Sequence, residues 1–160
     1  MRKEFYAVLD NIRSLYNVGS VFRTAEAMGF KKIYLSGITP APLEGRQKRE
    51  ISKTALGAEN YVFWQKTGQT WKLLEILKKE GVYLVGLELT KKAAPIQRLK
   101  LPKNRRKIAL VIGNEVTGLS PKIIRRCQKI VKIPMLGKKE SLNVSVAFGI
   151  VAFWLRQNLL

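Results

Sequence analysis

Apolar runs and segments of helical periodicity alternate along most of this chain. Short apolar runs are typical of buried strands, whereas apolar residues spaced three and four apart predict helices with one buried face. The apolar residues between Val18 and Met28 have that helical spacing, and Gly29 can end the helix. Strands alternating with helices indicate an α/β fold on a mostly parallel sheet. The pattern predicts strands at residues 5–9, 32–35, 82–89, 107–112 and 129–133, and helices at 70–79, 121–128 and from Ser141 or Asn143 to about 158.

Three connections between these elements stand out, at residues 37–60, 90–106 and 134–140. Each follows a predicted strand, and in parallel sheets ligands bind beyond the carboxyl ends of the strands. We therefore expect the three connections to gather at one edge of the sheet. Long ordered loops are usually functional, and the first of these carries Arg46, Lys48, Arg49 and Lys53.

The last predicted helix is apolar almost all round, with Val146, Phe148, Ile150, Phe153 and Trp154 among its residues. A helix at the surface of a monomer needs a polar stripe. Burial against a second subunit explains the composition, and a central core helix in a monomer is the alternative. We expect a homodimer.

Charge changes the picture from an ordinary domain to one with a polyanionic partner. The 160 residues, enough for one domain spanning 1–160, carry 30 Lys and Arg against 11 Asp and Glu, a formal net charge of +19. Residues 91–107 hold eight basic residues and no acid, and residues 122–139 hold seven and no acid. This distribution favours nucleic acid over membrane as the partner. A generally basic surface is the less specific alternative.

The chain contains no histidine and one cysteine, Cys127, so it lacks the usual general base, and a metal site is not expected. Cys127 lies in a predicted helix and is interpreted as a packed residue rather than a nucleophile. No apolar run suits a signal peptide or a membrane span. We expect a cytoplasmic protein without a membrane partner.

The most informative loop joins the strand at 107–112 to the following helix, which Ser120 and Pro121 can begin. Glycine-rich turns of this kind hold ligands on exposed backbone N–H groups. Gly113 and Gly118 fit the spacing of a nucleotide P-loop, but Leu119 stands where that motif needs lysine. Glu115 would also repel phosphate oxygens. The loop therefore suits a small ligand that is not a polyphosphate, and positive charge on it would suit Glu115.

Three segments together carry a more specific signal. They read NIRSLYNVGSVFRTAEAMG at 11–29, IGNEVTGL at 112–119 and IPMLGKKESLNVSVA at 133–147. In this order they resemble the three motifs of the SpoU-type RNA ribose 2′-O-methyltransferases, and KTALGAE at 53–59 is similar to a weaker element of that family.

The resemblance implies a SPOUT α/β-knot, in which the C-terminal segment passes through a loop to form a trefoil. Composition and periodicity would not suggest a knot, since knots are nearly absent from proteins. The resemblance also implies S-adenosylmethionine as cofactor and a homodimer as the active form. The chain is similar to the minimal members of the family, some of which modify tRNA, so tRNA is favoured over rRNA as substrate.

The resemblance assigns a cofactor pocket, and the motif arginines together with the basic residues of the connection at 37–60 predict an RNA surface. An ordinary core role is the alternative for Ile133, Met135 and Leu142. The cofactor-binding set is Leu87, Gly113, Asn114, Glu115, Ile133, Met135, Ser141 and Leu142. The RNA-binding set is Arg13, Arg23, Arg46, Lys48, Arg49 and Lys53.

The implied catalytic set is Arg23, Asn17, Glu115, Ser141 and Asn143. Asn17, Ser141 and Asn143 would orient ribose, phosphate or neighbouring side chains, and the last two can also cap a helix. Glu115 would lie near the positive end of the cofactor or pair with Arg23. Arginine keeps its proton at ordinary pH, so we interpret Arg23 as a clamp on a phosphate rather than as a base. Its alternative is a solvated helix residue.

Three other functions remain to be weighed. The missing lysine argues against a P-loop NTPase. A non-catalytic RNA-binding module would be expected to show aromatic residues among its basic ones, and the basic segments at 91–107 and 122–139 contain none. A related knotted methylase acting on a base is the third, but Asn17 and Arg23 favour ribose.

Overall fold

The structure is a computed structural model that describes residues 3–158. Within that range the strands are β1 (Glu4–Asp10), β2 (Lys32–Ser36), β3 (Phe63–Thr67), β4 (Tyr83–Leu87), β5 (Ala94–Pro95), β6 (Lys107–Ile112) and β7 (Lys129–Lys132). The helices are α1 (Leu15–Ala27), α2 (Gly45–Ala55), α3 (Thr70–Lys79), α4 (Pro121–Ile124) and α5 (Val144–Asn158), with 3₁₀ turns at Ala58–Asn60 and Ile96–Arg98.

All seven strands described belong to one sheet, in the order β3-β2-β1-β6-β4-β7-β5. Every neighbouring pair is parallel. The central strands are buried along most of their length, which is why they read as continuous apolar runs. The prediction of an α/β fold with a mostly parallel sheet is confirmed, and the trefoil knot stays a prediction.

Helices cover both faces of the sheet. On one face Phe22 of α1, Ile51 of α2 and Phe148 of α5 pack into the larger core. On the other face Leu74 of α3 and Ile123 of α4 pack into a smaller one. Because the strands are all parallel, the loops that leave their carboxyl ends lie at the same edge of the sheet.

The predicted strands agree with the structure to within two residues at each end, and the helix predicted at 70–79 matches α3. Gly29 follows α1 with φ +65°, as expected of the residue that ends a helix. The prediction for 121–128 is too long, because α4 is a single turn that ends at Ile124 and is followed by turns. Asn143 rather than Ser141 starts α5, since its Oδ1 accepts from the backbone N–H of Ser145 over 2.9 Å.

Besides the two 3₁₀ turns, three elements were missed: α2, β3 and the two-residue strand β5. The connection at 37–60 contains the eleven-residue helix α2, in which only Ile51 and Ala55 are buried. A helix that buries so little has no apolar period to detect. The strand β3 at the sheet edge has no buried residue, so no apolar run marked it.

The apolar composition of α5 has a structural cause on one side only. Phe148, Val151, Ala152 and Leu155 are buried, while Val146, Ile150 and Phe153 are exposed. The alternative of a central core helix therefore accounts for one side of α5 only, and three large apolar side chains on the other side are uncovered in the single chain. None of the helices described between residues 3 and 158 has both the length and the apolarity to cross a membrane.

Candidate active site

One cavity of about 230 Å³ lies at the carboxyl ends of β4, β6 and β7. Three separate segments of the chain build its walls: the end of β4, the loop after β6, and the stretch from β7 to α5. All eight residues of the predicted cofactor-binding set line it: Leu87, Gly113, Asn114, Glu115, Ile133, Met135, Ser141 and Leu142. Their binding role stays a prediction, but the structure brings them together.

The loop after β6 folds back on itself, and this requires glycine at two positions. A Cβ on Gly113 would lie 2.5 Å from the carbonyl carbon of Gly118, so no larger residue fits. Gly118 has φ +65°, and its N–H donates to the carbonyl of Asn114 over 2.9 Å. The Asn114 side chain accepts from Val116 and Thr117 N–H over 2.9 and 3.1 Å. The turn thus directs the Glu115 side chain toward the start of α1.

Glu115 binds the start of α1. Its carboxylate accepts from the backbone N–H of Arg13 over 3.1 and 3.0 Å and of Ser14 over 3.0 Å. It also accepts from the side-chain amide of Asn17 over 3.2 Å. Ser14 is the N-cap of α1 and Arg13 precedes it, so the carboxylate lies at the N-terminus of this helix, where negative charge is favoured. Burial raises the pKa of Glu115, but these hydrogen bonds outweigh burial, and the pKa lies below its ordinary value.

A chain of side-chain amides extends this contact to α5. The Asn143 amide donates to Asn17 Oδ1 over 3.1 Å. Asn143 Oδ1 in turn accepts from the Ser145 hydroxyl over 2.6 Å. Asn143 therefore caps α5 and also holds the first segment of the chain. Four of the five residues predicted to be catalytic lie at this junction or on the adjoining cavity wall, namely Asn17, Glu115, Ser141 and Asn143.

Arg23, the fifth, lies on the exposed side of α1 and does not line the cavity. It is about 9 Å beyond Asn17 along the helix axis. Among the described residues of one chain no ion pair joins Arg23 to Glu115. Of the two alternatives for Glu115, the pair with Arg23 is therefore not formed within the described part of one chain, because the Glu115 carboxylate binds the start of α1. The next residue, Thr24, faces α5, where a Cβ on Gly149 would lie 3.8 Å from Thr24 Cγ2.

The predicted RNA-binding residues lie on α1 and α2. Arg13 is exposed just before α1, and Arg46, Lys48, Arg49 and Lys53 are exposed on α2. Lys53 forms an ion pair with Glu50 over 2.8 Å, so the other three are the freer charges.

α2 packs closely on α1 at Gly19, which has no side chain. A Cβ there would lie 2.1 Å from the Thr54 hydroxyl oxygen. Thr54 also donates to the carbonyl of Tyr16 over 2.8 Å. The basic helix is thereby fixed beside the helix that carries Arg23.

Glu88 is a site residue that the sequence reasoning missed. It follows β4 directly, lines the cavity, and accepts from Leu119 N–H over 2.6 Å and from Leu89 N–H over 2.8 Å. A Cβ on Gly118 would lie 2.1 Å from Glu88 Oε2, so the second glycine of the loop makes room for this carboxylate. The signal was present: an acid at the carboxyl end of a buried strand, next to the predicted Leu87.

The structure offers little to other chemistries. Within residues 3–158 no cluster of three or more His, Cys, Asp or Glu side chains could hold a metal ion. Burial raises the pKa of Cys127 to about 12, so the thiol stays protonated and unreactive at ordinary pH. This agrees with its interpretation as a packed residue.

Comparison with known proteins points to one family. The family model described as the SpoU rRNA methylase family matches residues 4–153. A tRNA (guanosine(18)-2′-O)-methyltransferase from Aquifex aeolicus is 30% identical over 95% of this chain and 68% of its own length. A 23S rRNA (guanosine-2′-O-)-methyltransferase from Acinetobacter baylyi is 37% identical over 91% of this chain and 56% of its own.

A crystal structure described as an AdoMet-bound rRNA methyltransferase from Sinorhizobium meliloti has the same fold, with a TM-score of 0.88 and 27% identity. It is matched over 100% of this chain and 58% of its own length. The chain thus spans between about half and two thirds of the length of these three proteins.

Proposed function

The chain belongs to the SpoU family of RNA methylases, and we propose that it transfers the methyl group of S-adenosylmethionine to a ribose 2′-hydroxyl of RNA. The observation that carries this is the cavity in which eight residues from three distant segments meet. The loop at 113–118 lacks the lysine of a nucleotide P-loop and offers Glu115 where a triphosphate would need positive charge.

S-Adenosylmethionine would bind in this cavity. The apolar wall of the cavity, which includes Ile133, Met135 and Leu142, suits the adenine ring of the cofactor. Glu88 and Glu115 place carboxylates on the same cavity, which suits a ligand with a sulfonium and an ammonium group. When bound, the cofactor supplies a methyl group that is already activated toward nucleophiles.

The protein's own residues then have to align the hydroxyl and manage charge. Asn17, Ser141 and Asn143 adjoin the cavity and would orient the ribose or its phosphate. Glu115 holds the start of α1 and thereby keeps Asn17 in place. Arg23, on the same helix, would clamp a phosphate and stabilise the developing negative charge on oxygen.

The active form would be a homodimer. Val146, Ile150 and Phe153 are 50%, 42% and 55% exposed on one side of α5. They recur every three to four residues and form one stripe on the helix. Because α5 packs on α1, covering this stripe with a second copy would bring another chain close to Arg23.

Structured RNA would be the substrate, with tRNA favoured over rRNA. The net charge of +19 and the basic helix α2 support RNA as the partner. The Aquifex relative, which is named for tRNA, is matched over a larger share of its own length than the relative named for rRNA.

Two measurements test the assignment. Calorimetry should detect S-adenosylmethionine binding and no ATP binding, and the reverse result would contradict the proposed cavity. Labelled S-adenosylmethionine should then transfer methyl to bulk tRNA in preference to rRNA. Transfer to rRNA alone would reject the tRNA preference and keep the reaction.

A further inference from the structure

A second cavity, of about 580 Å³, opens where β1, β2 and β3 end. It shares Asn114 and Gly118 with the first cavity, so the loop at 113–118 forms a wall of both. We call it the Asp10 crevice, after the residue at its base. It lies beside the switch point of the sheet. There β1 has β2, the next strand of the chain, on one side and the later strand β6 on the other. Switch points are the usual ligand sites of parallel sheets.

Asp10 is an acceptor that the fold uses only in part. The residue is 4% exposed and lines the crevice. Its Oδ1 lies 2.5 Å from the Thr70 hydroxyl oxygen, which lies 2.8 Å from Ser36 Oγ. One hydroxyl donates one proton, so Ser36 donates to Thr70 and Thr70 to Asp10.

The other oxygen of this carboxylate has no hydrogen-bond partner among residues 3–158. That oxygen is not among the buried atoms that lack a partner, so it reaches the solvent of the crevice. A ligand with an N–H or O–H group can therefore donate to it.

Trp71 gives the crevice an aromatic wall with cations around it. Lys122 Nζ lies 4.1 Å from the Trp71 ring centroid, and Lys72 Nζ and Arg126 Cζ lie at 5.4 and 5.3 Å. Arg126 also pairs with Glu75 over 2.8 Å, so Lys122 and Lys72 are the cations available to a phosphate. Aromatic rings beside basic residues form stacking platforms for single-stranded nucleic acid.

We propose that the Asp10 crevice binds one unpaired base of the RNA substrate. The base edge donates N–H to Asp10, the ring lies against Trp71, and the phosphate contacts Lys122. Guanine fits best because its N1–H and N2–H lie side by side, so that either can donate to the free Asp10 oxygen, whereas adenine and cytosine present a single exocyclic amine. The proposal rests on RNA being the substrate, and it adds a contact separate from the reacting ribose.

Ligand-observed NMR with nucleoside 5′-monophosphates tests the crevice without cofactor or methyl transfer. GMP should bind more tightly than AMP and CMP. Asp10→Asn should weaken GMP binding about tenfold or more, because a base contact of this kind contributes about 1–3 kcal/mol. Trp71→Leu should do the same. Trp64→Leu, on the edge strand β3 and outside the crevice, is the matched control and should leave GMP binding unchanged.

Equal binding of all four nucleotides, no binding, or GMP affinity unchanged in Asp10→Asn and Trp71→Leu would overturn the proposal. If Asp10→Asn shows no cooperative unfolding, Trp71→Leu and Lys122→Met carry the test, since Lys122 is exposed. Methyl transfer without GMP binding would reject the crevice alone. GMP binding without methyl transfer would reject the proposed reaction and keep the crevice as a nucleotide site.

Discussion

The side-chain amide of Asn143 donates a hydrogen bond to Asn17 Oδ1 over 3.1 Å, between residues that are 126 positions apart. Glu115 accepts from the other end of the Asn17 side chain. The three motif segments therefore meet in one hydrogen-bonded junction beside the cavity. A substitution in any one segment should therefore weaken the hydrogen bonds that position the other two.

Glu115→Gln tests this junction through its pH dependence. The pKa of Glu115 is lowered in the folded state, so its contribution to stability is present above the unfolded-state pKa of about 4.3. That contribution is lost as the pH falls through the lower folded-state value. Urea titrations between pH 7 and pH 3 should show that the free energy of unfolding of the parent protein falls with pH. The fall should be smaller in Glu115→Gln.

The exposed Glu44 offers a matched control, since Glu44→Gln removes a carboxylate away from the junction. Its pH profile should follow that of the parent protein. Identical profiles for Glu115→Gln and the parent would mean that the carboxylate does not hold the start of α1 in solution.

Arg23→Ala should abolish methyl transfer while cofactor binding and stability remain close to those of the parent protein. The reason is that Arg23 is exposed on α1 and lies outside the cavity. Arg23→Lys separates a clamp from a base, because lysine loses the bidentate fork but releases its proton more readily. A clamp predicts little activity in Arg23→Lys at every pH.

Recovery of the Arg23→Lys rate as the pH approaches the lysine pKa would favour the base role. Loss of S-adenosylmethionine binding in either variant, measured by calorimetry, would show that Arg23 supports the cofactor cavity itself.

Phe153→Glu should shift a dimer toward monomer in light scattering at micromolar concentration. The charge would be placed on the exposed stripe of α5, where burying it without a partner is costly. Phe63 on the edge strand β3 is 79% exposed, so Phe63→Glu makes the same change elsewhere and should leave the mass unchanged. A parent protein that is monomeric under these conditions would rule out the proposed interface.

Reversing the charge of Arg46, Lys48 and Arg49 should weaken RNA binding and make it less sensitive to salt. If each contacts one phosphate, the slope of log affinity against log salt should fall by about 2 to 3. Reversing Lys31, Lys78 and Lys79 changes the total charge equally at the opposite edge of the sheet, where β2 begins and α3 ends. A filter-binding series that shows the same loss for both triple variants would place the effect in net charge rather than in α2.

Much of the architecture could be predicted because the buried strands are apolar throughout. The helix α2 and the strand β3 could not, since they bury almost nothing and leave no period in the sequence. The cavity residues were predicted through motifs. Periodicity alone places Gly113 and Leu142 on separate elements and gives no reason for them to meet.

Other parts of the site depend on contacts that no local pattern encodes. Glu115 could be identified as unusual from its basic surroundings, but its partners Arg13 and Ser14 lie about 100 residues away. The cations around Trp71 come from α3, α4 and the turn after α4. A scan of the basic segments for aromatic residues therefore missed this cluster.

The chemical identity of the methylated product tests the account most directly. RNA that has been incubated with the protein and isotope-labelled S-adenosylmethionine is digested to nucleosides and analysed by mass spectrometry. We predict that the label appears in a 2′-O-methylated nucleoside and that the Arg23→Ala variant gives no labelled product. Label on a base, or RNA that binds the protein and gains no label under any condition, would contradict ribose methylation as its function.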